Sequence, residues 1–278
     1  MTLDRTNMIT NAVNTIKKAD GLLITAGAGM GVDSGLPDFR GNDGFWVAYP
    51  ALKHLNLGFH EIARAKVFVD NPRLAWAFYG HRLNLYRKTI PHDGFRMLRE
   101  IGEQSPHGYM VYTSNVDGAF QKSGFDPSRV VECHGSIHFM QCSVNCQNKV
   151  WSADDFMPVV DEEKFELTND LPMCPDCGEI ARPNIMMFDD YYFCNTAVDV
   201  QIDRMDEWRK SLRYPVAIEI GAGTVIPTAR MQGEHCSEAL IRINPVAATV
   251  FRDEDISVKM GGLDGITAIH EEYFKNAT

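Results

Sequence analysis

The run Leu22-Leu23-Ile24-Thr25 passes directly into Ala26-Gly27-Ala28-Gly29-Met30-Gly31-Val32-Asp33-Ser34-Gly35-Leu36-Pro37-Asp38-Phe39-Arg40-Gly41. An apolar run opening into glycines reads as a buried parallel strand that ends in a loop whose backbone must approach something closely. Phosphate is the usual something, because amides bared by glycine ahead of a helix N-terminus favour anions. A glycine-rich turn without a ligand is the alternative. Two features weigh for a ligand: the position right after a strand, and the concentration of a stiff residue, an acid, an aromatic and an arginine in Pro37-Asp38-Phe39-Arg40.

Four more short apolar runs follow: Tyr109–Thr113, Arg129–Cys133, Val216–Ile220 and Ala239–Ile243. They end in Ser114-Asn115-Val116-Asp117-Gly118, His134-Gly135-Ser136, Gly221-Ala222-Gly223-Thr224 and Asn244. Helical patterns lie between and around them. Met8, Ile9, Ala12, Val13 and Ile16 share one face of a segment from Arg5 to Lys18, and Leu74, Ala75, Phe78 and Leu85 share one after Pro72. Further helices are predicted from Pro91 to Gly102 and from Gly262 to Lys275. Strands alternating with helices predict an α/β fold with a doubly wound parallel, Rossmann-like sheet. Ligands bind such sheets at the carboxyl ends of the strands, where every polar cluster named above falls.

Two regions break the alternation. Residues 42–90 are rich in aromatics and helix formers and read as a cofactor-binding loop with a small helical module, to which Phe45-Trp46 anchors the loop. Residues 138–189 read as an inserted small zinc-binding domain, leaving 1–41, 91–137 and 190–278 for the sheet domain. Cys142 and Cys146, and Cys174 and Cys177, form two thiolate pairs whose number suits a tetrahedral structural zinc site. With all four positions taken by thiolates, the ion has none open for water or substrate, so it supports the fold and does no chemistry.

The formal charge of -10 and the absence of a block of consecutive lysines or arginines argue against a nucleic-acid partner. No apolar run approaches membrane-spanning length and the first residues lack the apolar core of a signal peptide, so the expectation is no membrane association and a cytoplasmic location. Paired cysteines in a reducing compartment suit metal better than disulfide.

Taken in order, the glycine stretch through Arg40-Gly41, Thr113–Gly118, His134-Gly135, the two cysteine pairs, Ala181–Phe188 and Ile243-Asn244 resemble the sirtuins, the NAD-dependent protein deacylases. The resemblance spans about residues 20 to 265. It accounts for an absence as well: a Rossmann dehydrogenase places an acid about 20 residues after its glycines, where this chain has Tyr49 and Pro50.

The resemblance implies NAD as cofactor, structural zinc, and an acylated lysine in a protein or peptide as substrate, with nicotinamide and O-acyl-ADP-ribose as products. It implies that His134 is the base, and that Asn115 positions the ribose or a water. Asp117 would accept from the nicotinamide carboxamide. Gly27, Ala28, Gly29, Asp38, Phe39, Arg40, Ser114, Gly221, Gly223 and Asn244 match cofactor-binding positions. Ile185, Met186 and Phe188 match the strand that pairs with the substrate peptide. His138, without such a flank, is expected to be structural.

The chain also departs from the family. Gly31 stands where most sirtuins have serine, Ser114 where they have glutamine, and Ala222-Gly223 where they have Thr-Ser or Ser-Ser. These changes are expected to remove side-chain contacts around NAD without filling the space; if a serine at position 31 helps hold the cofactor, Gly31→Ser would tighten binding. Asp189-Asp190 replaces Gly-Glu, and Asp189 is expected to add a side chain and a charge beside the peptide groove. The alternative functions are a sirtuin-like NAD glycohydrolase or protein mono-ADP-ribosyltransferase, and a non-catalytic NAD or ADP-ribose binding module.

Overall fold

The computed structural model describes residues 2–37 and 41–275, with the backbone alone for residues 2, 3 and 41–44. Six strands form one parallel sheet: β1 (Gly21–Ala26), β2 (Tyr109–Thr113), β3 (Val130–Glu132), β9 (Pro215–Ile220), β10 (Ala239–Ile243) and β11 (Ile256–Val258). Their order across the sheet is β11-β10-β9-β1-β2-β3, so the winding reverses between β1 and β9. That crevice is where a doubly wound sheet accepts its ligand.

The five strands expected from the sequence are present. The sixth, β11, escaped because its three residues are flanked by Asp253-Glu254-Asp255 and Lys259, which hide so short a run.

Why these runs make a buried sheet is visible in their alternation. Leu22 and Ile24 face one side with Val111, Val130, Ile218 and Ile241, under the helices Thr2–Ile16, Gly94–Gly102 and Gly262–Phe274. Leu23 faces the other side with Met110, Val131, Ala217 and Leu240, under Thr196–Lys210 and Thr228–Cys236. Covered on both faces, a strand has no polar side, and each fully buried aliphatic chain contributes roughly 1.5 to 3 kcal/mol by leaving water.

In β9 and β10 charge enters the sheet in register. Glu219 on β9 lies opposite Arg242 on β10, both fully buried, with Arg242 Nε and Nη2 donating to the two carboxylate oxygens at 2.8 Å each.

A second apolar core lies beside the sheet. Phe45, Tyr49, Leu52, Phe78 and Leu83 from the segment 41–88 pack with Ile137, Met140, Phe165, Ala181 and Ile185. The latter come from an antiparallel sheet of β5 (Val150–Ser152), β4 (Gly135–Cys142) and β8 (Ala181–Ile185), and from the hairpin β6 (Val160–Asp161) and β7 (Glu166–Leu167). The helical segment and the antiparallel sheet therefore share one core. Phe45 is buried against Tyr49, Phe59 and Phe78, and Trp46 Nε1 donates to Leu57 O at 2.9 Å, as expected for an anchor. Among the described residues, no helix is long and apolar enough to cross a membrane.

Candidate active site

The ends of β1, β2, β3 and β9 meet through their backbones. Ser114 N–H donates to Ala26 O at 3.1 Å, and Asn115 Nδ2 donates to Gly27 O at 3.0 Å. Across the switch point, Gly27 N–H donates to Ile220 O at 3.0 Å and Gly29 N–H to Gly221 O at 3.1 Å. A Cβ on Gly27 would lie 2.7 Å from Ala222 Cα, and one on Gly29 would lie 2.7 Å from Gly221 Cα. The close approach that these two glycines permit is therefore to the neighbouring loop. It brings the ends of β1 and β9 into direct contact, which a side chain at either position would forbid.

His134 follows β3 and precedes β4 by one residue. Its carbonyl accepts from Met186 N–H at 2.9 Å, and Gly135, in the left-handed region at φ 76°, lets β4 leave at once to pair with β8. Burial lowers the imidazole pKa, and a hydrogen bond to the Ser114 backbone raises it in part. The ring is thus tied to the end of β2 and is neutral near neutral pH.

Asp117 sits in the turn after β2. Its Oδ1 accepts from Ala119 N–H at 2.9 Å, while burial raises its pKa against the lowering pull of that N–H, His138 and Arg82. His138 Nε2 bonds the Asp117 carbonyl at 2.9 Å, so this histidine braces the turn, a structural role. Behind the turn, Asp117, Gly31, Ser34, Leu36 and Tyr86 line a small pocket.

Of the remaining cofactor positions, Gly221 is in the left-handed region at φ 60° and Gly223 has open space around it. Asn244 is buried, with Nδ2 donating to Ala222 O at 3.2 Å and Oδ1 accepting from Val246 N–H at 3.1 Å and Ala247 N–H at 2.9 Å. Its amide is spent on main chain. Asp38, Phe39 and Arg40 lie outside the described residues.

The segment after β8 forms the other wall. Ile185 pairs with Gly135 on β4. Phe188 N–H donates to Ala63 O at 3.0 Å and Phe188 O accepts from Ala65 N–H at 3.2 Å, so its main chain is already paired with the helical segment. Asp190 does not face outward: it is buried, its Oδ1 takes Arg182 Nη2 at 2.8 Å and Tyr192 N–H at 3.1 Å, and its Oδ2 takes Met187 N–H at 3.3 Å. Asp189 is the exposed member of the pair, at φ 53° and 3.3 Å from Arg64 Nε.

The four cysteines converge. Cys142 ends β4 opposite Ala181, the first residue of β8, so the turn that carries Cys174 and Cys177 is folded back beside it. All four Sγ atoms lie within 4.8 Å of one another, with Cys142 to Cys177 at 3.6 Å and Cys146 to Cys174 at 3.7 Å. A tetrahedron with metal–sulfur bonds of about 2.3 Å has edges of about 3.8 Å, so the cluster has the size that zinc requires. Asn145 at φ 49° absorbs the extra residue of the first pair.

Sequence reasoning missed Glu132 and Arg230. Glu132 is a buried carboxyl on β3, raised to about 8 by burial; a carboxylate inside the run Val130-Val131-Glu132-Cys133 was its signal. Arg230 bridges two strand-end loops and had no pattern to mark it.

The sequence model of the Sir2 family matches residues 27–208. An NAD-dependent protein deacylase of Aquifex aeolicus is 27% identical over 258 residues, covering 90% of this chain and 94% of the relative. One from Thermococcus kodakarensis is 32% identical over 184 residues, covering 65% of this chain and 64% of the relative. The solved structure of a Sir2 homolog–NAD complex superposes with a TM-score of 0.72 at 22% identity, over 96% of this chain and 94% of that one; it speaks for the fold alone. The family match runs from the glycine loop through both cysteine pairs into the helix Thr196–Lys210, and the chain belongs to the Sir2 family.

Proposed function

We propose that the chain is an NAD-dependent protein lysine deacylase. The observation that carries the reading is the placement of Asn115 and Asp117 after β2 and of His134 after β3, with His134 bonded to the Ser114 backbone and Asn115 Nδ2 bonded to Gly27 O of the glycine loop. An amide, an acid and a neutral imidazole form a donor and acceptor set that fits a nicotinamide riboside.

When bound, NAD supplies an anomeric carbon that becomes electrophilic as its bond to nicotinamide weakens. Asp117 holds the carboxamide end of the site. Asn115 keeps the glycine loop in place through Nδ2 and orients a ribose hydroxyl or a water through Oδ1. His134 accepts a proton from a ribose hydroxyl at the ring nitrogen not engaged by the Ser114 backbone. Its lowered pKa keeps that nitrogen free at neutral pH.

The acyl-lysine substrate adds as a strand to the wall formed by Met186 to Asp189. The main chain of Phe188 is paired with Ala63 and Ala65, which holds this wall against the helical segment. The thiolate zinc site and the paired-cysteine composition support a reducing, cytoplasmic setting.

Nicotinamide release from NAD is the test, measured without peptide, with unmodified peptides and with a panel of acyl-lysine peptides, His134→Ala serving as control. Release that requires an acyl peptide supports deacylation. Equal release without one would replace it by NAD hydrolysis, and transfer of label from NAD onto protein would replace it by ADP-ribosyl transfer.

A further inference from the structure

Two loops extend from the carboxyl ends of β9 and β10: Gly221-Ala222-Gly223-Thr224 and Asn244-Pro245-Val246-Ala247-Ala248. Apart from Thr224, their polar side chains reduce to Asn244, whose amide is engaged with Ala222, Val246 and Ala247. What these loops offer a ligand is therefore mainly backbone.

Arg230, in the first turn of the helix Thr228–Cys236, stands behind both loops. Its Nη2 donates to Ala222 O at 3.2 Å and to Ala247 O at 2.8 Å, and lies 3.5 Å from Glu219 Oε1, with the side chain 12% exposed. Glu219 is gripped by Arg242, which also reaches Glu234 Oε1 at 2.6 Å and the Thr249 carbonyl. Two guanidinium groups and two carboxylates balance, so the cluster can be buried without a net charge. Ala222 in turn is the residue against which Gly27 packs. One carbonyl thus joins the helix, the loop after β9 and, through Asn244, the loop after β10.

We infer that Arg230 is the positioning residue that sets the spacing of these two strand-end loops before the cofactor binds. The inference rests on the NAD reading. Its physical basis is preorganisation: a loop fastened before the ligand arrives does not lose that freedom on binding. Arginine suits the task because its rigid planar end fixes Nη2 between the two carbonyls, whereas the lysine ammonium rides on a flexible stem. Ala222 and Gly223 bring no polar side chain to the first loop, so the burden falls on the backbone.

The test uses Arg230→Met and Arg230→Lys in the full, zinc-loaded protein. ADP-ribose affinity is measured by calorimetry, KM for an acyl peptide by steady-state kinetics, and amide hydrogen exchange at Val246 and Ala247 without ligand. Losing two charge-assisted bonds to the loops should weaken ADP-ribose by about tenfold or more in Arg230→Met and by less in Arg230→Lys. Exchange at the two amides should be faster, with peptide KM changed by no more than about twofold. Unchanged ADP-ribose affinity, or equal weakening of peptide and ADP-ribose, overturns the assignment. Should Arg230→Met not fold, the lysine variant decides by the same criteria. A wild-type protein that fails to bind ADP-ribose overturns this inference and the NAD reading together, whereas wild-type binding with unaffected variants overturns this inference alone.

Discussion

Leu36 occupies the volume that a side chain on Gly31 would need. A Cβ at position 31 would lie 3.1 Å from Leu36 Cδ1 and 3.3 Å from Leu36 Cβ, while Leu36 N–H donates to Gly31 O at 3.1 Å. The loop is closed on itself by that bond and filled by that side chain. Where the sequence suggested unfilled space, a side chain at position 31 requires Leu36 to give way by a few tenths of an ångström. At Gly223, by contrast, nothing lies within 4 Å, and the space is open.

Gly31→Ser should therefore weaken NAD binding, the reverse of what the residue comparison suggests, and cost about 1 to 3 kcal/mol of stability through crowding. Leu36→Ala in the same chain should recover part of both losses, since the two substitutions share one volume. Gly223→Ser should leave stability within about 0.5 kcal/mol of wild type. Denaturant unfolding and NAD calorimetry decide; tighter NAD binding by Gly31→Ser alone would show that Leu36 yields freely.

The acid limb of the pH–rate profile should fall below 6.5, the ordinary histidine value. Burial disfavours the imidazolium at His134 more than the bond to Ser114 favours it, so the neutral base persists to lower pH than a solvated histidine would. A limb at or above the ordinary value in single-turnover rates would contradict this. His134→Ala should abolish the limb together with acyl transfer.

Glu132 gives a stability signature of opposite direction. Its folded-state pKa is raised from 4.5 to about 8, chiefly by burial and further by the nearby Asp117, against bonds from Ser136 and Gln121. Stability from this group is full below the unfolded value and is lost as pH climbs through the folded one, because the unfolded chain gives up the proton first. Glu132→Gln cannot titrate, so its melting temperature relative to wild type should rise between about pH 5 and about pH 8. A difference that stays constant across that range would place the Glu132 carboxyl in water.

Cys174→Ala should cost zinc and folding together. Zinc-finger peptides bind zinc with roughly 10 to 16 kcal/mol, and the small sheet that carries the ligands shares its core with the helical segment. Loss of metal should thus loosen Tyr49 and Phe78 as well as the thiolate turn. A soluble Cys174→Ala protein retaining stoichiometric zinc by atomic emission would refute the four-thiolate site.

Much of the site was legible because it is local. Residues at the end of an apolar strand are displayed at the same edge whatever lies between strands, so that Asn115, Asp117 and His134 share an edge could be read from their position after β2 and β3, while their roles came only from the resemblance. The thiolate pairs were legible for a similar reason: donor type and short spacing constrain a tetrahedral ion before any fold is known. Even the buried pair of Glu219 and Arg242 had a trace, an acid in one apolar run and a base in another.

By itself, then, the sequence determined the periodicity of the strands, the α/β class, the residues at the strand ends and the metal donors, all properties of neighbours along the chain. Only the tertiary structure decided that Gly27 and Gly29 meet the loop after β9, that Leu36 fills the space beside Gly31, that Asp190 turns inward to Arg182 while Asp189 turns out, and that Arg230 joins two loops. Each of those depends on which distant segments the sheet order places side by side. Strand order is settled by packing between faces, to which the pattern along any one segment is blind.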